Sequence, residues 1–332
     1  MVLRTAIWIG KKAIYVLLEL YFALTLAFFL VLSMPGNPYE IILRSLMNSG
    51  MPEKTAELRA AALVGFNPSE SVLMRYFSWM LNILHGNLGY SLIYTSPVAP
   101  VIAAAAPWTV IIVLVSLTLA FITGFFLGLV AASTSSKILD AAISGLMSLF
   151  QSIPSYMLAL ILLIVFAIHL RIFPLGAAYS MSVKPGLNLA FIEDTSYHLA
   201  LPIITFYLML FPGWMFGTRA IATSLTKEDF IMVAKARGIS GNRMTFSYVG
   251  KNALLPQFTS LMFSYGMLFG SSIFIESIFN IPGLGYLLSM ATGSRDYLLI
   301  IGSFIIIIVA VIIGNFIADV GYGLIDPRIR GK

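Results

Sequence analysis

Six apolar runs, each near or above twenty residues, constrain this chain more than any other feature. They fall near 13–33, 105–132, 141–169, 199–219, 254–278 and 298–323. A helix needs about 20 residues to cross a hydrocarbon core roughly 30 Å thick, so each run reads as a membrane span. Lipid offers no partner for a bare N–H or C=O, which leaves helices or closed barrels as the spanning structures. A barrel shows alternating segments of about ten residues, and the sequence has none. The expectation is an all-α membrane protein with six transmembrane helices. Composition agrees: only 10% of residues are charged, too few to clothe a water-soluble globule of 332 residues.

The first run is not read as a cleavable signal. Its apolar stretch, Ala13 to Ser33, is longer than the roughly 7–15 residues of a signal core. It ends at Met34-Pro35-Gly36-Asn37-Pro38, a helix stop rather than a small-residue cleavage site. The net charge of +6 is explained by topology and not by nucleic acid. With both termini cytoplasmic, thirteen of the 20 Lys and Arg fall on the inner side, as the positive-inside rule requires. The resulting organisation is an N-terminal tail and first span over 1–33, an extracytoplasmic loop over 34–104, and a five-span core over 105–325. A cytoplasmic loop over 220–253 interrupts that core, and a tail over 326–332 follows it.

Thiol and disulfide chemistry are excluded because there is no cysteine. His85, His169 and His198 lie in separate segments without metal-ligand spacing; His169 and His198 are placed where neighbouring helix ends can meet. In the first loop, Pro52 to Val64 is rich in helix formers. Residues 71–84 set Leu73, Tyr76, Phe77, Met80, Leu81 and Leu84 at helical spacing, an amphipathic stripe. Tyr76, Phe77 and Trp79 suit either the membrane interface or packing on the span ends. Residues 85–92 form a turn-rich lead into the second span.

One polar stretch stands out within the apolar sequence. Residues 226–256 read TKEDFIMVAKARGISGNRMTFSYVGKNALLP. Thr226 with Asp229 three residues on predicts a capping-box helix start, and Glu228 and Asp229 suit the positive end of the helix dipole. Gly238 predicts a stop, after Lys235 and Arg237 in the last turn. Ser240 is placed to cap a second helix. The expected product is a helix, a glycine turn and a second helix, with no catalytic chemistry of its own.

Ala234-Lys235-Ala236-Arg237-Gly238 followed by Leu255-Pro256 resembles the "EAA" loop of permease subunits of ATP-binding-cassette importers. Further stretches extend the likeness over nearly the whole chain. Leu32 to Pro38 is similar to "LPGDP", and Gly86-Asn87-Leu88-Gly89-Tyr90-Ser91 to "GDLGYS". Ser152-Ile153-Pro154-Ser155-Tyr156, Phe173-Pro174-Leu175-Gly176 and His198 to Pro202 follow in order. Glu276 to Gly285 is similar to "ETVFGLPGLG", and Arg295-Asp296-Tyr297 and Asp326-Pro327-Arg328-Ile329-Arg330 close the set. The match is to the B-type subunit of dipeptide/oligopeptide permeases. Three positions depart from it: Val233 precedes Ala234, where the pattern begins with glutamate, and Asn37 and Asn87 replace acids.

The resemblance implies a type I importer fold. It implies a second homologous permease subunit, two cytoplasmic ATPase subunits that bind ATP and Mg, and an extracytoplasmic substrate-binding protein. This chain would hold no cofactor or metal and would lie in the cell membrane among lipid. The ATPase-coupling residues would be Asp229, Phe230, Ala234, Lys235, Ala236, Arg237 and Gly238. Gln151, Ser152, Ser155 and Tyr156, around a helix kinked by Pro154, are candidates to line the pathway. Glu276, Asn280, Pro282 and Gly283 are candidates for an outer gate or a binding-protein contact. Gly124 with Gly128, and Gly266 with Gly270, have the spacing that lets helices approach closely. The implied substrate is a di- or oligopeptide; an oligosaccharide or a nickel complex suits the same machinery. An ion-coupled carrier is disfavoured, because Glu19, Glu276 and Asp319 do not pair near the midplane by position. An intramembrane hydrolase lacks its residues.

Overall fold

The computed structural model describes residues 2–33, 38–64, 70–134, 136–267 and 272–325. The motif stretches at Met34–Asn37 and Asp326–Arg330, and Gly270, lie outside them. Helix α1 spans Val2–Ser33, α2 Pro38–Asn48, α3 Glu53–Val64 and α4 Val72–Leu84. A two-residue ribbon follows, β1 Tyr90–Ser91 against β2 Ser96–Pro97, antiparallel with Tyr90 opposite Pro97. Then come α5 Val98–Ser133, α6 Lys137–Ser152, α7 Ser155–Leu162 and α8 Leu189–Leu225. Helices α9 Asp229–Ala236, α10 Gly241–Arg243, α11 Gly250–Met267, α12 Ile273–Ile278, α13 Leu284–Gly293 and α14 Tyr297–Ile325 complete the chain. Two stretches, Leu163–His169 after α7 and Met244–Val249 between α10 and α11, are wound as π-helix.

Among the described residues, four helices are long and apolar enough to cross a membrane: Trp8–Leu30 within α1, then α5, α8, and Tyr297–Phe316 within α14. At 36 residues, α5 is about 54 Å long at 1.5 Å per residue, well beyond the hydrocarbon thickness. The third expected span is not a kinked helix. Helices α6 and α7 are bent by 100° at the break, with Pro154 extended at φ −56° and ψ 142° as the residue before α7. Proline without an N–H loses nothing at a helix start, so a break is cheaper here than a kink. The fifth expected span, 254–278, contains α11 up to Met267 and, after residues outside the description, the six-residue α12.

The chain divides into two compact units. The first takes 1–109, 282–316 and 327–332; the second takes 110–281 and 317–326. In the first unit, α4 is capped by Ser71, whose hydroxyl accepts from Met74 N–H at 3.4 Å. The apolar stripe of α4 divides into two faces. Tyr76 and Trp79 pack on Phe28 of α1 with ring centroids 5.3 and 5.4 Å apart, and the Tyr76 and Thr25 hydroxyls are 2.8 Å apart. Leu73, Phe77, Leu81 and Leu84 stay exposed.

In the second unit, α5 and α8 touch backbone to backbone. A methyl group on Gly124 would lie 2.6 Å from Trp214 Cβ, and one on Gly128 would lie 2.6 Å from the Met215 carbonyl oxygen and 2.7 Å from Thr218 Cβ. Only glycine permits that approach. Ser116 Oγ donates to the Ile203 carbonyl at 3.1 Å along the same seam. Arg219 of α8 bonds Asp140 at 2.8 Å and Ser144 at 2.7 Å, which fixes α6 against α8.

Candidate functional site

The polar island forms a closed hairpin. Helix α9 begins two residues later than the capping-box reading expects. Glu228 is the cap, without a side-chain bond, and Asp229 is the first helical residue. Thr226 instead ends α8; its hydroxyl donates to the Thr223 carbonyl at 2.7 Å. The helical spacing of Ile221, Ala222 and Leu225 carries α8 up to that point, so Thr226 terminates a helix rather than starting one.

The far end of α9 is a two-bond stop made by the main chain. Gly238 adopts φ +73°. Its N–H donates to the Lys235 carbonyl at 2.9 Å, and Ile239 N–H donates to the Ala234 carbonyl at 3.3 Å. This is the Schellman pattern, whose left-handed residue is glycine because a Cβ is penalised there. Ser240 precedes α10 in extended conformation but makes no side-chain cap bond.

Helix α9 is anchored by its inner face. Ile231 and Ala234 are buried with Phe125, Leu129, Ala222, Met244, Val249 and Ala253. Ala234 is 3% exposed, so it holds the hairpin to its own core and is not part of the presented surface. Asp229, Phe230, Lys235, Ala236, Arg237 and Gly238 are exposed. The sequence reading omitted Met232 and Val233, which are 56% and 51% exposed. The spacing that buries Ile231 and Ala234 also turns these two residues outward, so helical periodicity was the available signal. The presented face is therefore apolar at Phe230, Met232 and Val233, and basic at Lys235 and Arg237.

Gln151 and Ser152 end α6, and Ser155 and Tyr156 open α7, so all four sit around the 100° break. Ser152 Oγ is turned back onto the Ser148 carbonyl at 2.7 Å. The Tyr156 ring lies 6.3 Å from that of Phe274.

Glu276 is fully buried and Asn280 is exposed. Asn280 takes φ +48° and closes α12 with a second stop of the same kind, Ile281 N–H donating to the Glu276 carbonyl at 2.9 Å. Ala177 N–H donates to the Phe279 carbonyl at 3.0 Å, which places the loop after Phe173 on this turn. In the first unit, Pro282 is exposed and Gly283 is buried as the residue before α13. Leu284 N–H is capped by Thr109 Oγ1 at 2.8 Å.

The least expected junction is at Asp296. Its carboxylate accepts from Ser91 Oγ at 2.7 Å, Leu92 N–H at 2.8 Å and Ile93 N–H at 3.2 Å. It also accepts from Leu299 N–H at 3.2 Å, which caps α14. Two motif stretches about 200 residues apart are thus held together by one buried carboxylate.

Comparison with known proteins adds to this geometry. A family profile described as "binding-protein-dependent transport system inner membrane component" matches residues 124–331. The chain is 31% identical to a putative peptide permease protein of Brucella suis, over 94% of this chain and 96% of that protein. It is 30% identical to the oligopeptide transport system permease protein AppB of Bacillus subtilis, over 92% of this chain and 93% of that protein. It is 28% identical to the oligopeptide transport system permease protein OppB of Haemophilus influenzae, over 97% and 99%.

Proposed function

The chain belongs to the family of binding-protein-dependent transport system inner-membrane components, and from that premise we propose that it is a permease subunit of an ATP-driven importer of di- or oligopeptides. It is a multi-pass membrane protein without an enzymatic role in this reading. Six spans with both termini cytoplasmic would form the pathway with a second homologous permease. Two cytoplasmic ATPases would hold ATP and Mg, and an extracytoplasmic binding protein would deliver the peptide. The peptide assignment is supported by the relatives, which are named as peptide permeases.

The observation that carries the reading is the α9 hairpin. A coupling element must be stiff, and this one is closed by main-chain bonds at Gly238 and anchored by Ile231 and Ala234. It must also present something to grip. Phe230, Met232 and Val233 offer apolar surface, and Lys235 and Arg237 set register against an acidic partner. ATP-driven closure of the ATPase pair would move this element as a rigid body and repack the spans behind it.

Gly238→Asp tests the reading. Nothing lies within 4 Å of an added Cβ at Gly238, and Asp tolerates the left-handed region better than most residues. The chain therefore inserts and folds, while a carboxylate now sits amid the basic face. Proteoliposomes carrying the assembled transporter are expected to lose peptide uptake and binding-protein-stimulated ATP hydrolysis. Gly238→Asn, equally tolerant and uncharged, is expected to retain both. Wild-type uptake by the Asp variant would refute the coupling role.

A further inference from the structure

Behind the hairpin lies an open pocket of about 410 Å³ within the second unit. Its wall includes the last turn of α5 (Leu129, Ala132, Ser133) and the end of α8 (Ala222, Thr226), so it sits at the ends of two long apolar helices. Thr245 contributes a hydroxyl, Asn242 a carboxamide and Lys235 a basic side chain, while the Ser133 and Thr226 hydroxyls already donate to the Val130 and Thr223 carbonyls. Leu129, Met244 and Val249 contribute apolar lining, and among the described residues no carboxylate lines the pocket. That is a set of donors with one fixed positive charge, which suits an anion carried on an apolar stem.

A second observation identifies the stem. Beside the pocket, Phe126 and Phe246 are 51% and 43% exposed with their rings 6.2 Å apart. Val130, one turn on from Phe126, is exposed on α5 as well. This apolar track lies beside pocket residues Leu129 and Thr245 on the surface of an apolar helix.

We propose that the pocket binds the headgroup of an anionic phospholipid, with its acyl chains along Phe126, Val130 and Phe246. The phosphate takes Lys235 as a charge-assisted donor and the Thr245 hydroxyl and Asn242 amide as neutral ones. Basic pockets between helix ends are the arrangement that recognises such headgroups. The assignment needs only that the chain lies in a membrane; Lys235 is shared with the proposed ATPase contact, and the Thr245 and Asn242 variants separate the two readings.

The test is lipid retention by the full-length chain purified in detergent, read by native mass spectrometry after adding phosphatidylglycerol or phosphatidylcholine with identical chains. Wild type is expected to retain one phosphatidylglycerol in preference to phosphatidylcholine. Lys235→Gln lowers that retention about five- to tenfold, and Thr245→Val with Asn242→Ala lowers it without changing the charge. Arg237→Gln removes the same charge from the same face outside the pocket and leaves retention as in wild type. Phe126→Ala weakens both lipids alike. An unchanged thermal midpoint in the pocket variants shows that the fold persists. Excess glycerol phosphate does not displace the bound lipid; displacement would make this a free-phosphate site and overturn the assignment. Equal retention of the two lipids, the outcome expected of a socket for a partner protein's carboxylate, would overturn it too. So would an equal loss in Arg237→Gln, which would reduce the effect to diffuse attraction.

Discussion

Replacing Asp296 by alanine removes the acceptor of four hydrogen bonds at once. The two short ones, from Ser91 Oγ at 2.7 Å and Leu92 N–H at 2.8 Å, have a charged acceptor and are worth about 1.5 kcal/mol each at the low end. Loss of the α14 cap, bonded to Leu299 N–H, adds about 1 kcal/mol. The sum is about 4 kcal/mol, and Ser91, fully buried, is left with a donor that water cannot reach. The cap bond persists when the ribbon opens, so about 3 kcal/mol counts there, and at about 1.4 kcal/mol per factor of ten local opening of the 90–97 ribbon becomes roughly a hundredfold more frequent. Hydrogen exchange of a peptide covering residues 90–97, followed by mass spectrometry in detergent, reads this directly at the Leu92 and Ile93 amides. Asp296→Asn keeps a capping oxygen and loses the charge, so it costs about 1–2 kcal/mol, or roughly tenfold. Wild-type protection in the alanine variant would show that Asp296 does not hold the ribbon. Identical exchange in the Asn and Ala variants would show that the remaining oxygen contributes nothing.

Three further outcomes are expected. Gly128→Leu forces α5 away from the Met215 carbonyl and Thr218 Cβ and costs about 1–3 kcal/mol as overpacking, seen as a lower thermal midpoint; an unchanged midpoint would mean that the seam is loose. Asn280→Gly relieves a left-handed backbone at φ +48° and stabilises by up to about 1 kcal/mol, measured as a raised midpoint, whereas Asn280→Val lowers it. A double-mutant cycle on Arg219→Ala and Asp140→Ala yields a coupling of no more than about 1 kcal/mol, because the two side chains are 30% and 33% exposed; several kcal/mol would mean that the pair is drier than it looks.

The sequence revealed features whose causes are local. Apolar runs announced α1, α5, α8 and α14, because a span needs only length and composition. Gly238 was legible because a helix stop with φ above zero has one favoured residue. Thr226 was misread because its hydroxyl suits either end of a helix, and only the continued packing of Ala222 decides which. Pro154 was read as a kink because sequence does not distinguish a bend inside a span from a 100° break between two helices. Asp296 was quoted only as part of a motif, since its partners at Ser91, Leu92 and Ile93 are more than 200 positions away. Ala234 was grouped with the coupling residues because its motif was recognised as a unit, although the helical repeat with Ile231 turns it inward.

The π-wound stretch Met244–Val249 joins α10 to α11. Each i→i+5 turn amounts to one residue more than an α-turn needs, the mark of a single-residue insertion absorbed into an existing helix. With about 3.6 residues per turn, one surplus residue shifts the angular phase of everything downstream by roughly 100°. The faces of α11 are therefore offset from those of the hairpin that precedes it, and a heptad count carried through residue 244 points to the wrong side. Deleting one residue between Met244 and Val249 would return the segment to α-winding and leave the faces of α11 where they are. The wide turn therefore decouples length from orientation, and homologues one residue shorter would keep the packing of α11.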